Sequence, residues 1–369
     1  MQNSDGLRQS NIELLRIIAM IFIVAHHFAV HSGFAFSVNS ITVNRLWIQF
    51  IQIGGKIGVN IFVIISGYFL IMSQSIKTNK VIKLWSRIFF YSVIVFIVFV
   101  SFGAEQFSVK ELIKHVLPIT FTQWWFASTY FVLYMLSPYL NRLLRTFNNK
   151  QYICFLGLLF IGWCIIPTFT GKGFQSNELL WFCFLYAFAA YFRLFGIKND
   201  FSASKLISLS FICTIIAFLS AVVFDVLGMK VPSISTHATF FYGMQDLPIL
   251  AAAILLFLGF SKIKIHNNKT INTVSSATFG VYLIHDSNYI RPFLWKTLFM
   301  NASYAESSLL IPYSLFVIAI VFTGCTIIEL LRLCMFENKY YNRMVTRLSK
   351  KIDFVISLLI NKTMQFLSK

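Results

Sequence analysis

The chain has 369 residues, of which 57% are hydrophobic and only 12% are charged, and its mean hydropathy is +0.73. Soluble domains carry about 25% charged residues, so this composition excludes an ordinary soluble protein and indicates a polytopic membrane protein. The net charge of +18 does not indicate nucleic-acid binding, because the basic residues lie in short segments between apolar runs.

Apolar segments of about 17 to 25 residues are candidate membrane spans. Ten are predicted, near residues 12–30, 51–73, 84–102, 121–141, 152–170, 177–195, 206–227, 244–261, 275–291 and 309–332. With a cytoplasmic N-terminus, the cytoplasmic segments hold 23 of the 31 Lys and Arg residues and the outer segments hold 8. This asymmetry follows the positive-inside rule, and it predicts an all-α polytopic fold with both termini cytoplasmic.

Two further segments are amphipathic. Residues 107–117 are expected to form a helix on the outer face of the membrane. In the C-terminal segment, apolar residues recur at helical spacing beside basic ones, at Met344, Leu348, Ile352, Val355 and Leu359. A cationic amphipathic helix on an anionic inner leaflet is the expected structure. We therefore divide the chain into a transmembrane domain, residues 1–335, and a basic amphipathic cytoplasmic tail, residues 336–369.

The first predicted span carries an acid, an arginine and two adjacent histidines, at Glu13, Arg16, His26 and His27. Arg16 and His27 are separated by almost three full helical turns, so they share one face, about 16 Å apart along the axis. Glu13 lies one turn before Arg16 on nearly the same face. His26 is expected to point about 100° away, so we do not expect the two histidines to act as one pair.

Ionisable residues inside a membrane helix are costly and indicate a functional site. Each also has a purely structural interpretation. A histidine can simply hydrogen-bond a neighbouring helix, and an arginine near a cytoplasmic helix end can serve only as a topology anchor. The alignment of Glu13, Arg16 and His27 on one face favours the functional interpretation.

Five stretches, in the right order, resemble motifs of the acyltransferase 3 family of integral membrane proteins. They are Glu13 with Leu15-Arg16 and His27, GVNIFVIISGYFLI at 58–71, KLWSRIFFY at 83–91, WWFASTYFVLYMLSPYLN at 124–141 and FGVYLIH at 279–285. The resemblance covers nearly the whole chain. Asn60 stands where family members often have an acid, and Leu84 replaces the first of two arginines often found before the third span.

The resemblance implies an enzyme that moves an acyl group, most often acetyl, from cytoplasmic acyl-CoA to an extracytoplasmic or lipid-linked acceptor, usually a sugar hydroxyl. His27 is the candidate general base for that hydroxyl, or the nucleophile that carries the acyl group itself. Glu13 is expected to orient Arg16, and His26 is the second candidate for the catalytic role. The residues expected to bind the phosphates of the donor are Arg16, Arg87 and Lys83.

Polar and aromatic residues on other predicted spans are candidates for lining the acceptor cavity. They are Asn60, Ser66, Tyr68, Trp125, Tyr130, Tyr134, Tyr282 and His285. Ser66-Gly67 is better explained as a close contact between helices than as a catalytic serine. Trp125 fits an interfacial aromatic belt at least as well as a sugar-binding wall, and His285 fits an ordinary interfacial residue equally well. The chain has no HExxH motif and no carboxylate cluster, so no metal or bound cofactor is expected, and acetyl-CoA is expected as a substrate.

The leading hypothesis is an O-acetyltransferase of the inner or plasma membrane that modifies a cell-surface glycan or its lipid-linked precursor. Direct transfer and a covalent intermediate both fit this hypothesis, as do acetyl and longer acyl groups such as succinyl. The alternative from another class is a transporter or flippase for a glycan or glycolipid, in which the same aromatic residues and charges would line the path of the sugar.

Overall fold

Helices form most of the computed structural model, which describes residues 8–37, 39–197, 200–337 and 339–367. The helices of the first half are α1 (Ser10–His31), α2 (Val43–Leu70), α3 (Thr78–Ser101), α4 (Val109–Val116), α5 (Trp125–Thr146), α6 (Asn149–Phe160), α7 (Ile166–Thr170) and α8 (Glu178–Phe195). The others are α9 (Ala203–Gly228), α10 (Pro232–Ser235), α11 (Leu247–Lys262), α12 (Lys269–His285), α13 (Ile290–Pro292), α14 (Leu310–Phe336) and α15 (Lys339–Leu367). No β-strand occurs within these described ranges, so the all-α prediction is confirmed.

Seven helical segments of the described chain are long and apolar enough to cross a membrane, which makes this a multi-pass membrane protein. They are α1, α2, α3, the continuous stretch Asn149–Thr170, α8, α9 and α14. The other three predicted spans coincide with α5, α11 and α12, which are shorter or less apolar. The count of ten spans and the orientation of the termini stay predictions. Two of the basic residues used to predict the orientation, Lys198 and Lys369, lie outside the described residues.

Both predicted amphipathic segments are helical, as α4 and α15. α15 packs on the start of α3, where Val345 is buried, Lys83 donates to the Asn342 side chain at 2.5 Å, and Thr78 donates to Asp353 at 2.5 Å. Apolar residues predicted to face the lipid remain exposed on α15, among them Met344, Leu348, Val355 and Leu359. The final residues of the predicted tail, 368–369, lie outside the described residues.

α1 and α2 approach each other closely because α2 presents glycines to α1. A Cβ added at Gly58 would lie 2.6 Å from the Ala19 carbonyl oxygen, and one at Gly55 would lie 2.3 Å from the His26 ring. These distances are far below normal van der Waals contact. Small residues therefore set the separation of the two helices, as they do in many membrane proteins.

A second close contact joins α2 to α8. A Cβ at Gly67 would lie 2.6 Å from the carbonyl oxygen of Tyr186 and 2.7 Å from its Cα. The Ser66 hydroxyl meanwhile donates to the carbonyl of Phe62, one turn earlier in α2. The interpretation of Ser66-Gly67 as a close-packing contact is confirmed.

A third close contact joins α12 to α14 at Gly280, which faces the carboxylate of Glu329. A Cβ at Gly280 would lie 2.3–2.5 Å from the Glu329 side chain. Glu329 is fully buried, and it accepts hydrogen bonds from Tyr91 at 2.5 Å and from Arg332 at 2.7 and 2.8 Å. The carboxylate thus fills the space beside Gly280 while its own charge is paired.

Replacing Gly67 with alanine should destabilise the protein by about 1–3 kcal/mol, because the new methyl group would meet the backbone of α8, which cannot rotate away. The measurement is thermal unfolding of the purified protein in nanodiscs. Gly157→Ala is the matched control, since nothing lies within 4 Å of its added Cβ, and it should leave stability unchanged or slightly raised. Equal unfolding temperatures for Gly67→Ala and the native chain would contradict the packing described here.

Candidate active site

A polar cavity of about 220 Å³ lies where α1, α2, α5 and α12 meet. Its polar side is formed by α1, α2 and the segment that follows α12, through His26, His27, His31, Lys56, Asp286 and Arg291. Aromatic residues form much of the remaining wall, namely Phe62, Trp125, Phe126, Phe279 and Tyr282.

Hydrogen bonds determine which nitrogen of His27 carries the proton. His285 Nδ1 lies 2.6 Å from the carbonyl oxygen of Val281, which can only accept, so this nitrogen is protonated and donates. His285 Nε2 is then the acceptor of a neutral ring, and His27 Nδ1 donates to it over 2.9 Å. The ring of His27 lines the cavity, and its Nε2 keeps a lone pair that can accept a proton.

A buried carboxylate stands beside two of the imidazoles. Asp286 is 2% exposed, and its Oδ1 lies 3.6 Å from His27 Nδ1 and 3.8 Å from His31 Nε2. Arg291 donates to the same Oδ1 at 2.8 Å and to the Asp286 carbonyl at 3.0 Å. The arginine fixes the carboxylate in place, and the carboxylate can stabilise a positive charge that forms on His27.

His26 also reaches the cavity, contrary to the expectation that it points elsewhere. Its Nδ1 donates to the carbonyl oxygen of Gln52 at 2.5 Å, and its ring centroid lies 5.6 Å from that of His27. The missing side chain at Gly55 leaves room for the His26 ring between α1 and α2. Both histidines therefore belong to one site.

The aromatic wall combines flat surfaces with an unused hydrogen-bonding group. The Lys56 ammonium lies 5.8 Å from the centroid of the Trp125 ring, and Phe126 packs edge-to-face on Tyr282 at 5.6 Å. The buried hydroxyl of Tyr282 makes no well-aligned hydrogen bond within the described residues, although it lies near the Asp286 carboxylate. Because buried hydroxyls normally have partners, this group is available to a polar ligand in the cavity.

The family model of acyltransferase 3, described as an acyltransferase domain, matches residues 9–330, a range that contains every cavity residue. The chain belongs to the acyltransferase 3 family. The resemblance seen in the sequence motifs is thereby confirmed, and the family supports membrane acyltransferase activity. No curated protein and no solved structure matches the chain.

Of the residues predicted to form the acyltransferase's catalytic and acceptor sites, four line the cavity, namely His26, His27, Trp125 and Tyr282. His285 lies directly behind His27 and is fully buried. Glu13 lies outside the cavity, next to Arg16. The remaining predicted lining residues also lie outside it: Asn60, Ser66, Tyr68, Tyr130 and Tyr134.

Successive residues of a helix point about 100° apart, so only part of each helix faces the cavity, and four of these five side chains have contacts elsewhere. Asn60 is buried, donating to a backbone carbonyl before α11 and accepting from the indole N–H of Trp181 at 3.0 Å. Ser66 and Tyr130 pair through their hydroxyls at 3.1 Å. The ring of Tyr68 lies 5.2 Å from a guanidinium of α8.

The predicted donor-binding residues of the acyltransferase also lie outside the cavity. Glu13 lies 3.7 Å from Arg16, as expected for an orienting carboxylate, and it accepts a hydrogen bond from Ser275 at 2.5 Å. Arg87 lies 3.1 and 3.5 Å from two carboxylates on and just after α14, and Lys83 donates to a side chain of α15. The positive charge of Arg87 is therefore already paired within the protein.

Among the polar residues of the cavity, sequence reasoning gave no role to three: His31, Lys56 and Arg291. His31 follows His27 by four residues on the same helical face, so its spacing was a usable signal. Lys56 lies inside an apolar span, where a charge indicates function. No local sequence pattern indicated that Arg291 would reach the cavity, because its position there depends on the turn after α12, which brings it next to Asp286.

Three cavity residues offer potential metal ligands. His27, His31 and Asp286 place one ligand atom each within 4.8 Å of one another. Arg291 already neutralises the carboxylate by direct contact at 2.8 Å, so the charge of the cluster is balanced by the protein itself. The prediction that the site takes no metal stays a prediction.

The hydrogen-bond chain predicts the tautomer of His27. The ¹⁵N spectrum of the histidine-labelled native acyltransferase should contain the signals of a ring with protonated Nδ1 and unprotonated Nε2. These signals should be missing from the spectrum of His27→Asn. His285→Ala removes the acceptor of the Nδ1 proton and should shift the His27 signals towards a mixture of tautomers. If the native protein showed a His27 ring protonated on Nε2, the hydrogen-bond arrangement described here would be wrong.

Proposed function

We propose that the protein is an O-acetyltransferase of the cell membrane that moves acetyl from cytoplasmic acetyl-CoA to a hydroxyl of a cell-surface glycan or its lipid-linked precursor. The observation that carries this proposal is the His27 ring, which lines the cavity and whose Nδ1 lies 2.9 Å from His285, an arrangement in which Nε2 is the proton acceptor. The cavity volume, about 220 Å³, is below the ~300 Å³ of the smaller drug-sized pockets and suits a single sugar ring.

In the proposed reaction, His27 Nε2 takes the proton of the sugar hydroxyl as its oxygen attacks the thioester carbonyl carbon. A C–O bond forms, the C–S bond breaks, and the thiolate of CoA leaves and receives the proton from His27. The imidazolium that exists between these two transfers is stabilised by Asp286 at 3.6 Å and by its hydrogen bond to His285. The aromatic wall with Trp125 and Tyr282 orients the sugar.

For the donor, we assign the phosphates of acetyl-CoA to Arg16 rather than to Arg87. Arg16 lies about 16 Å from His27 along α1, on the side proposed to be cytoplasmic, and Glu13 orients its guanidinium at 3.7 Å. Arg87, together with Lys83, is engaged with α14 and α15 instead. A phosphate at Arg87 would have to compete with two carboxylates.

Replacing His27 with alanine should lower acyl transfer at least ~100-fold, because the hydroxyl loses its base. Inside-out membrane vesicles would be given acetyl-CoA labelled in the acetyl group, and label would be followed into glycan and protein. His237→Ala, a change at an exposed loop histidine, is the control and should transfer normally. Label retained on the wild-type protein would indicate that His27 carries the acyl group as a covalent acyl-histidine and does not act as a general base.

Two results would contradict the proposed function. One is full transfer by a His27→Ala protein that accumulates normally. The other is absence of transfer by the wild type with native glycans present and with succinyl-CoA also tested. Movement of glycan across the vesicle membrane without any acyl-CoA would support the transporter alternative in its place.

Replacing Arg16 with glutamine should raise the KM for acetyl-CoA by about 10-fold or more while leaving the KM for the acceptor unchanged. The loss of one charge-assisted hydrogen bond, about 1.5–3 kcal/mol, sets this scale. Arg16→Lys should recover part of the affinity, because it keeps the charge but not the bidentate geometry. Arg87→Gln serves as the comparison. If Arg87→Gln raised the KM for acetyl-CoA more than Arg16→Gln did, the donor phosphates would bind at α3 and not at α1.

A further inference from the structure

The cavity contains a lysine that has no ion-pair partner in the part of the chain that the structure describes. Lys56 lies in the middle of α2, half-buried, and no carboxylate of the described residues lies within 4.0 Å of its ammonium. Glu178, at the start of α8, attracts it only from beyond that distance. The neighbouring Trp125 ring, 5.8 Å away, offers only a weak cation–π contact.

The other charges of the cavity do not compensate Lys56. Arg291 and Asp286 neutralise each other at 2.8 Å, and the hydrogen bonds of His27 and His285 fit neutral rings. With the histidines neutral, the lining carries two cations and one anion, a net charge of about +1. A charge withdrawn from water without a counter-ion is costly, so a site of this kind favours an anionic ligand.

We propose that the acceptor sugar carries an anionic group, a carboxylate or a phosphate, that binds the Lys56 ammonium while its ring lies on Trp125 and its reacting hydroxyl faces His27. This proposal rests on the proposed function and specifies the substrate class of the same site. Lys56 and His26 belong to adjoining turns of α2 and α1, since the Gly55 backbone touches the His26 ring. The anion and the catalytic imidazoles therefore share one small cavity.

The anionic group belongs to the acceptor and not to the phosphates of the acyl donor. Those phosphates are assigned to Arg16, about 16 Å from His27 along α1. The cavity has room for about one sugar ring, and Trp125 provides the flat apolar surface on which such a ring stacks. Lys56 thus acts as a specificity residue for the acceptor.

The test measures binding without turnover. Native protein in nanodiscs of zwitterionic lipid would be dialysed to equilibrium against radiolabelled methyl glucuronide, methyl glucoside and glucose 6-phosphate. The native protein should bind at least one charged sugar ~10-fold more tightly than the neutral glucoside, and the stronger of the two charged ligands distinguishes carboxylate from phosphate. Raising the salt concentration should reduce this preference.

Variants of Lys56 test its role in that preference. Lys56→Gln should abolish the preference, Lys56→Arg should keep most of it, and Lys172→Gln, at an exposed lysine outside the cavity, should leave it unchanged. Equal binding of all three sugars by the native protein would overturn the inference, and so would an intact preference in Lys56→Gln. Both Lys56 variants must elute as monodisperse protein, and Lys56→Arg checks that a loss in Lys56→Gln follows the charge.

The acyl-transfer assay separates this inference from the proposed function. Selective binding of a charged sugar by a protein that transfers no acyl group would contradict the proposed function and leave the anion site intact. Equal transfer to charged and neutral glycans would contradict the anion site and leave the acyltransferase reaction intact.

Discussion

The close approach of α1 and α2 is the constraint on which the cavity depends. Gly55 and Gly58 allow the two helices to touch through backbone and ring atoms, with only 2.3–2.6 Å available where a Cβ would stand. In lipid there is no hydrophobic force between helices, so such contacts stabilise the pair through dispersion and geometry. The same contact places the His26 ring beside Lys56 and aligns the rest of the α1 face with α12.

The second requirement is that polar groups in a dry interior have partners. The hydrogen bonds from His27 to His285 and from His285 to the Val281 carbonyl satisfy three ring nitrogens and leave the lone pair of His27 Nε2 available. Asp286 is held by Arg291 in a similar way. Each member orients the next, so the reactive nitrogen is positioned before any ligand binds, which is the basis of preorganised catalysis.

Sequence reasoning predicted the helical class, the regions of the long helices and the stripe of Glu13, Arg16 and His27, because hydropathy and helical periodicity are local properties. It also identified Trp125 and Tyr282 from motifs. It could not predict that Asn60 turns to Trp181 or that Arg87 meets the carboxylates of α14, because those choices depend on which helices are neighbours.

His26 shows the same limit of sequence reasoning, but here the packing of the helices brings a residue into the cavity. The helical period places His26 about 100° from His27, but it carries no information about the width of the space between the helices. Only the packing of α2, with Gly55 opposite the imidazole, brings both rings into one space. Angles within a helix follow from sequence, whereas the space between helices is a property of the pair.

The contact between Gly280 and Glu329 has an evolutionary consequence. A side chain at position 280 would have to displace a buried carboxylate that already binds Arg332 and Tyr91, so the position is constrained by electrostatics as well as by volume. In related chains, a larger residue at position 280 should therefore occur only together with a shorter or uncharged residue at position 329. α12 carries His285 just over one turn beyond Gly280, so the contact of Gly280 with Glu329 also sets where His285 stands behind His27.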